Sequence, residues 1–322
     1  MKTVQALIGA AFVLASSVAF AQDTGKVVLG WSVNLQTAPI VVANEKGFFK
    51  EAGLEVKSVR FVSGRDALEA LLGGQLDLGF MAEFPPTIGA LRKQPFRVVA
   101  AMSSYSGNRI ISSAGANVAS AKDLEGKKIG TTLGTNAAYF TDVMLKKAGV
   151  KATVVNVGPA DIVPALVRGD IDVGIPFPDF YQKARSALGA NYREFVSKDY
   201  VARFVVAASM DLVTKRPGDL KKFVAALIKA DDFIRANPAA AQEIVADQMK
   251  GLLDLAEIKT QWVDASFAVG LDKELLTLMI DEAKWIAERG LIKDAQLDAA
   301  TLRTYFADEP LKALDPKRVD LP

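Results

Sequence analysis

Two acidic side chains stand where this sequence could do chemistry, Glu83 and Asp179. Each follows an apolar run and sits in an aromatic, proline-containing turn: Phe80-Met81-Ala82-Glu83-Phe84-Pro85 and Pro176-Phe177-Pro178-Asp179-Phe180. A carboxylate in such a turn can accept hydrogen bonds from an amine, an amidine or a hydroxyl. It can also simply favour the start of the following helix. Trp31, Phe84 and Phe177 offer flat faces able to sandwich a planar or aliphatic guest. Three expected helix starts, Thr37-Ala38, Phe84-Pro85 and Thr135-Asn136, present backbone N–H groups with no partner inside their helix. Thr135 and Asn136 lie apart from any carboxylate and suit an anionic or carbonyl group, the alternative being plain helix capping. Gln36 adds a polar contact. Arg109 can reach a carboxylate, with a surface ion pair as the other reading.

The composition removes whole classes of reaction. Among 322 residues there is no histidine and no cysteine. Thiol nucleophiles, Ser-His-Asp triads and histidine bases are therefore unavailable. Zinc sites built from Cys and His are excluded as well, and we expect neither metal nor cofactor. The formal net charge of +2 gives no electrostatic case for nucleic acid or an anionic membrane surface.

The elements that must position these residues repeat themselves. Ala70-Leu71-Leu72-Gly73-Gly74-Gln75-Leu76-Asp77-Leu78-Gly79 and Ala165-Leu166-Val167-Arg168-Gly169-Asp170-Ile171-Asp172-Val173-Gly174 share one pattern. Each reads as a helix end, a glycine beyond it, and a short buried strand. In an open α/β sheet the ligand lies outside the carboxyl ends of the strands. Two such units predict two similar lobes, each offering one rim of a shared cleft. Residues 1–21 read as an export leader, with Lys2, an apolar stretch, and Ala19-Phe20-Ala21 as the cleavage site. Cleavage there leaves 301 residues with a charge of +1, enough for two domains.

Further pieces follow in order. Val27 to Trp31 reads as a strand, and Leu54 to Val62 as another with a possible bulge at Lys57-Ser58. Phe96 to Met102 is a fourth strand, and Ser103 to Asn108 a break where the chain crosses between lobes. Phe204 to Ala208 reads as the strand returning to the first lobe. Beyond it the pattern is mostly helical, with Asp272 capping one helix and Asn237-Pro238 ending another.

The ordered set resembles the periplasmic solute-binding proteins of ABC importers, in their nitrate/sulfonate/taurine branch. It comprises Gly30-Trp31, Ala38-Pro39, Glu45-Lys46-Gly47-Phe48-Phe49, the two repeated units, Asp123 to Gly130, Gly134-Thr135-Asn136 and Asn237-Pro238. The resemblance implies an α/β, two-lobe periplasmic binding protein fold of type II. It has two crossovers and a helical C-terminal tail on lobe one. Lobe one would comprise residues 26–107 and 205–322, and lobe two residues 108–204. It further implies a soluble, monomeric periplasmic receptor that binds a small organic solute and delivers it to a membrane permease, with no reaction. Two departures bear on the ligand. Pro176-Phe177-Pro178 replaces the family's usual Trp-x-Pro, and Glu83-Phe84 stands where sulfonate binders carry small hydroxyl residues. The competing class is an enzyme on the same lobes, of the pyrimidine-precursor type, which the missing histidine and cysteine disfavour.

Overall fold

The computed structural model describes residues 24–32, 34–293 and 298–322. The leader and its expected cleavage after Ala21 fall outside the described residues. Twelve strands are described: β1 Gly25–Trp31, β2 Leu54–Arg60, β3 Leu78–Ala82, β4 Phe96–Tyr105, β5 Asn108–Ser113, β6 Lys128–Thr131, β7 Thr153–Asn156, β8 Val173–Gly174, β9 Tyr192–Ser197, β10 Ala202–Ser209, β11 Ala265–Asp272 and β12 Val319–Asp320. They form two sheets. The larger runs β12-β11-β4-β10-β3-β1-β2, the smaller β7-β6-β8-β5-β9. The chain passes from the first sheet to the second at Ser106-Gly107 and returns through residues 198–201.

Both sheets are built on one plan. In the larger, β1 pairs in parallel with β3 through Leu29↔Leu78 and Gly30↔Gly79. In the smaller, β6 pairs with β8 through Ile129↔Val173 and Gly130↔Gly174. A Cβ on Gly30 would lie 2.3 Å from Leu76, and one on Gly130 would lie 2.5 Å from Ile171, its counterpart in the echo. Glycine is needed at both places so that a helix-to-strand turn can pack against the neighbouring strand. The aspartates of the echo also match. Asp77 accepts the amide of Val28 at 2.8 Å, and Asp172 accepts the amide of Lys128 at 2.8 Å. Each carboxylate thus ties the turn before one strand to the start of the next, satisfying an amide the ladder leaves open.

Burial explains the strand compositions. Every residue of β3 is buried, as expected of a strand covered on both faces. β2 is an edge strand whose Lys57 and Ser58 are both exposed. With little burial to enforce alternation, the slip at Lys57-Ser58 needs no bulge. The pairing runs unbroken from Gly25↔Leu54 to Trp31↔Arg60.

Three expectations are corrected here. β4 continues to Tyr105, so the break before the crossover shrinks to two residues. The return strand starts at Ala202 rather than Phe204, because Ala202 already pairs with Tyr105. The C-terminal region also supplies two strands, with β11 antiparallel to β4 and β12 parallel to β11. Its helices are nonetheless prominent. Pro217–Ala236 packs on the first lobe, and Asp272 caps the helix Lys273–Glu288 by accepting the Leu275 amide at 2.8 Å.

Candidate functional site

A cavity of about 60 Å³ lies between the two sheets, at the carboxyl ends of their parallel strands. From the first lobe it is reached by the loop after β1, the turn after β2, and the ends of β3 and β4. From the second it is reached by the start of the helix Asn136–Ala148 and by the Ile175-to-Asp179 turn after β8. This is the sheet edge where both echoing units end.

The floor of the cavity is polar and unsatisfied. Gln36 is fully buried, and neither its amide oxygen nor its amide nitrogen has a hydrogen-bond partner among the described residues. Asn34 is 8% exposed, and its Oδ1 is equally unpartnered. Leaving such groups buried and unpaired costs stability, and the structure spends other bonds to hold them there. The Thr37 hydroxyl donates to the Asn34 carbonyl, and the Ser103 hydroxyl donates to the Gln36 carbonyl at 2.9 Å. Those two bonds fix the loop that aims Asn34 and Gln36 at the cavity. Tyr181, also buried, receives the Arg109 amide on its hydroxyl oxygen at 3.1 Å, which leaves the hydroxyl hydrogen free to donate.

Five of the ten residues singled out from sequence line this cavity: Gln36, Thr135, Asn136, Phe177 and Asp179. The other five are placed elsewhere. Trp31 is 8% exposed and packs in the core. Thr37 is buried under the loop it braces. Arg109 stands behind Tyr181, 5.2 Å from its ring, and is held by Glu194 at 2.7 Å. Phe84 is buried at the seam between lobes, 6.0 Å from Tyr139 and 5.8 Å from Trp285.

Glu83 requires the largest correction. It is fully buried and does not reach the cavity. Its Oε2 accepts the Arg203 amide at 2.9 Å, and its Oε1 accepts the Tyr200 hydroxyl. Glu282, fully buried on the 273–288 helix, meets it from the other side and accepts the Thr87 hydroxyl at 2.7 Å. Burial raises the Glu83 carboxyl from 4.5 to about 7, and burial with the adjacent Glu83 charge raises Glu282 well above its ordinary value. Two touching carboxyls in a dry interior cannot both ionise, so the pair holds a proton.

Asp179 is the opposite case. It lines the cavity, is only partly buried, and among the described residues has no bond from another residue; its own backbone amide is its one donor there. Burial pushes its carboxyl from 3.8 up to about 7.

Sequence reasoning missed Asn34, Arg65, Tyr105 and Tyr181. Asn34 lies two residues before Gln36 in the same loop. Arg65 belongs to a helix start, Ser63-Gly64, that falls at the same sheet edge as the three considered. Its guanidinium donates to the Leu133 carbonyl across the seam at 3.1 Å. Further bonds close the lobes on each other at two flanks. On one flank Trp285 donates to Asp142 at 2.6 Å and Arg289 pairs with the same carboxylate. On the other, Gln182 bonds Asp254 at 2.7 Å and Arg185 bonds Glu257 at 2.7 Å.

Residues 34–241 match the family described as NMT1/THI5 like. The chain belongs to the NMT1/THI5-like family. A protein of Brucella abortus named only as a binding protein is 30% identical over 234 residues, covering 70% of this chain and 71% of that one. The taurine-binding periplasmic protein of Escherichia coli is 26% identical over 230 residues, covering 69% and 70%. A 4-amino-5-hydroxymethyl-2-methylpyrimidine phosphate synthase of Aspergillus parasiticus is 27% identical over 282 residues, covering 79% and 78%. This NMT1/THI5-like chain shares its fold with the alkanesulfonate-binding protein of Xanthomonas axonopodis pv. citri, solved with MOPS. The TM-score is 0.73 at 19% identity, over 87% of this chain and 99% of that one. The fold is that of the periplasmic binding proteins, and among the described residues no helix is long and apolar enough to cross a membrane.

Proposed function

We propose that the protein is the solute-binding component of an ABC importer, which closes two lobes over a small organic solute and hands it unaltered to a membrane permease. The observation that carries this reading is the cavity floor, where Asn34 and Gln36 hold buried amide atoms that none of the described residues satisfies. A guest completes them. Closure is a hinge motion at residues 106–107 and 198–201, and the solute shifts the balance toward the closed form because only that form surrounds it. Export to the periplasm by cleavage after Ala21, and action as a monomer, belong to the same reading. N-terminal sequencing of secreted protein would show Gln22 first.

The competing reading is catalysis, supported by the Aspergillus relative at 27% identity. The chain has no histidine or cysteine, and the cavity carries one unpaired carboxylate rather than a base–nucleophile pair. The two readings separate in one experiment. Small-angle scattering measures the radius with and without solute, and mass spectrometry examines the solute afterwards. A smaller radius with the solute recovered intact supports the carrier; chemical conversion of the solute overturns it.

A further inference from the structure

Granted the carrier reading, the residues inside the cavity identify the chemical class of the cargo. Two of the lining residues bear a guanidinium or a carboxyl group, Arg65 and Asp179. Arg65 is exposed, spends a donor on Leu133, and also borders a groove outside the cavity, so it is a rim group. Asp179 is left as the interior carboxyl, and among the described residues no cation is bound to it. The guanidiniums of Arg109 and Arg185 are committed, to Glu194 and to Glu257. A partly desolvated carboxylate without a partner calls for a positive one.

The neutral groups can serve the rest of such a guest. Unpartnered acceptors at the cavity are the Asp179 oxygens, Gln36 Oε1 and Asn34 Oδ1, and the side-chain donors are Gln36 Nε2 and the Tyr105 and Tyr181 hydroxyls. Phe177 adjoins Asp179, and Phe80, Phe140 and Phe204 complete the wall. Aromatic faces of this kind attract a cation.

We infer that the cleft selects solutes bearing a protonated nitrogen, an ammonium or amidinium, and that Asp179 receives it. The substrate-determining carboxylate is therefore the one in the second lobe, and Glu83 has no part in it. A proton linkage follows. The titratable groups facing Asp179 are Tyr105 and Tyr181 from their own elements and Arg65 at the rim, with Arg109, Arg185 and Glu257 one layer behind. None of these is neutralised by binding, whereas Asp179, with a carboxyl held near 7 by burial, loses its proton when a cation arrives. Affinity falls as pH drops through about 7, approaching tenfold per pH unit well below it.

The test uses matched trios of probes: benzamidine, benzamide and benzenesulfonate, then butylamine, butanol and butanesulfonate. Calorimetry is run on the full mature chain, on Asp179→Asn and on Asp179→Glu, in two buffers of different ionisation enthalpy. We expect the cationic member of a trio to bind at least about tenfold tighter than its neutral isostere, with proton release at neutral pH. Asp179→Asn should erase both the preference and the proton release, and Asp179→Glu should restore part of each. Cationic probes that fail to bind at millimolar concentration, or a preference that survives in Asp179→Asn, overturn the inference. Tight binding of a sulfonate with lobe closure overturns it too, yet leaves the carrier reading standing. Silence from every probe class overturns both.

Discussion

Glu83 and Asp179 occupy matching turns of two units built on one plan, and their fates are opposed. Glu83 follows directly on β3, and its turn folds at once into the helix Phe84–Leu91. That path carries the side chain inward, to Tyr200, Arg203 and Glu282. Asp179 stands five residues beyond β8, in a single 3₁₀ turn before the helix Tyr181–Leu188. The longer excursion leaves its carboxylate at the cavity wall. Two lobes with the same scaffold thus divide the work. The first uses its acidic turn to lock strand ends to the returning chain, and the second uses its own to face the guest. The depth of a turn, more than its composition, decides which role a carboxylate takes.

The largest expected effect breaks this comparison at the Glu83 side. Glu83→Ala removes the acceptor of a buried amide and a buried hydroxyl, and should destabilise the protein by about 2–4 kcal/mol. Asp179→Ala removes a carboxylate that no neighbour needs, and should shift stability by about 0.5 kcal/mol or less. Urea unfolding of the two variants decides the point. Equal losses would mean that both carboxylates are structural.

The next effect is a pH dependence of comparable size. Glu83 has a folded-state carboxyl near 7 against 4.5 when unfolded, so the unfolded chain releases the proton first. Its contribution to stability is fully present below about 4.5 and is lost as pH rises through about 7. Over that window the loss is on the order of 2–3 kcal/mol. Glu282→Gln, which removes the second buried carboxyl of the pair, itself raised by burial, should lower the stability difference between pH 5 and pH 8. Asp179 contributes in the same direction but less, because water reaches it through the cleft. Thermal unfolding of wild type, Glu282→Gln and Asp179→Asn at both pH values ranks the two. A larger flattening in Asp179→Asn than in Glu282→Gln would reverse the comparison.

The scaffold was legible because its signals are local. The echo at 70–79 and 165–174 is a helix end, a glycine and a strand within ten residues, and Asp272 announces its helix within three. The role of Glu83 was not legible, because its partners Tyr200 and Arg203 lie 117 and 120 residues away in sequence. A carboxylate in a turn reads the same whether it meets water or another carboxyl. β11 was readable and was passed over: Phe267, Val269 and Leu271 alternate as the buried face of a strand, inside a region whose other signals are helical. In the candidate site, Gln36 was found by its place in the loop after β1. Its unsatisfied amide emerges only once Thr37, Ser103 and the neighbouring core are in position.

A smaller effect probes the seam rather than the turns. Asp142, on the 136–148 helix of the second lobe, receives Trp285 and Arg289 from the first. Asp142→Ala should loosen closure by about 1 kcal/mol, weakening a bound solute several-fold while the fold persists. Scattering should show a larger radius for this variant without ligand. An unchanged radius and affinity would leave the closing energy with the opposite flank, at Gln182 and Arg185.

The smallest effects compare two of the helix starts that border the cavity. Ser63 caps its helix, accepting the Asp66 amide at 3.3 Å, and Asp66 adds a carboxylate in the first turn. Thr135 does not cap; its hydroxyl donates instead to the Thr132 carbonyl at 2.7 Å, and no acidic residue lies in that first turn. Of the first-turn amides of the 136–148 helix, that of Ala138 is taken by the Thr135 carbonyl at 3.1 Å, while those of Asn136 and Ala137 remain open toward the cleft, and they belong to the backbone. Thr135→Ala should cost about 0.5–1 kcal/mol of stability through the lost turn bond, yet leave solute affinity within about threefold. Thr135→Asp is the sharper variant. A carboxylate at that position caps the helix, occupies the amides and adds negative charge beside the guest. If a carbonyl or anionic end of the solute rests there, Thr135→Asp weakens binding by about tenfold while raising the melting temperature. If instead both Thr135 variants bind like wild type, the 136–148 helix is only a wall, and recognition lies with Asp179 and the Asn34–Gln36 floor.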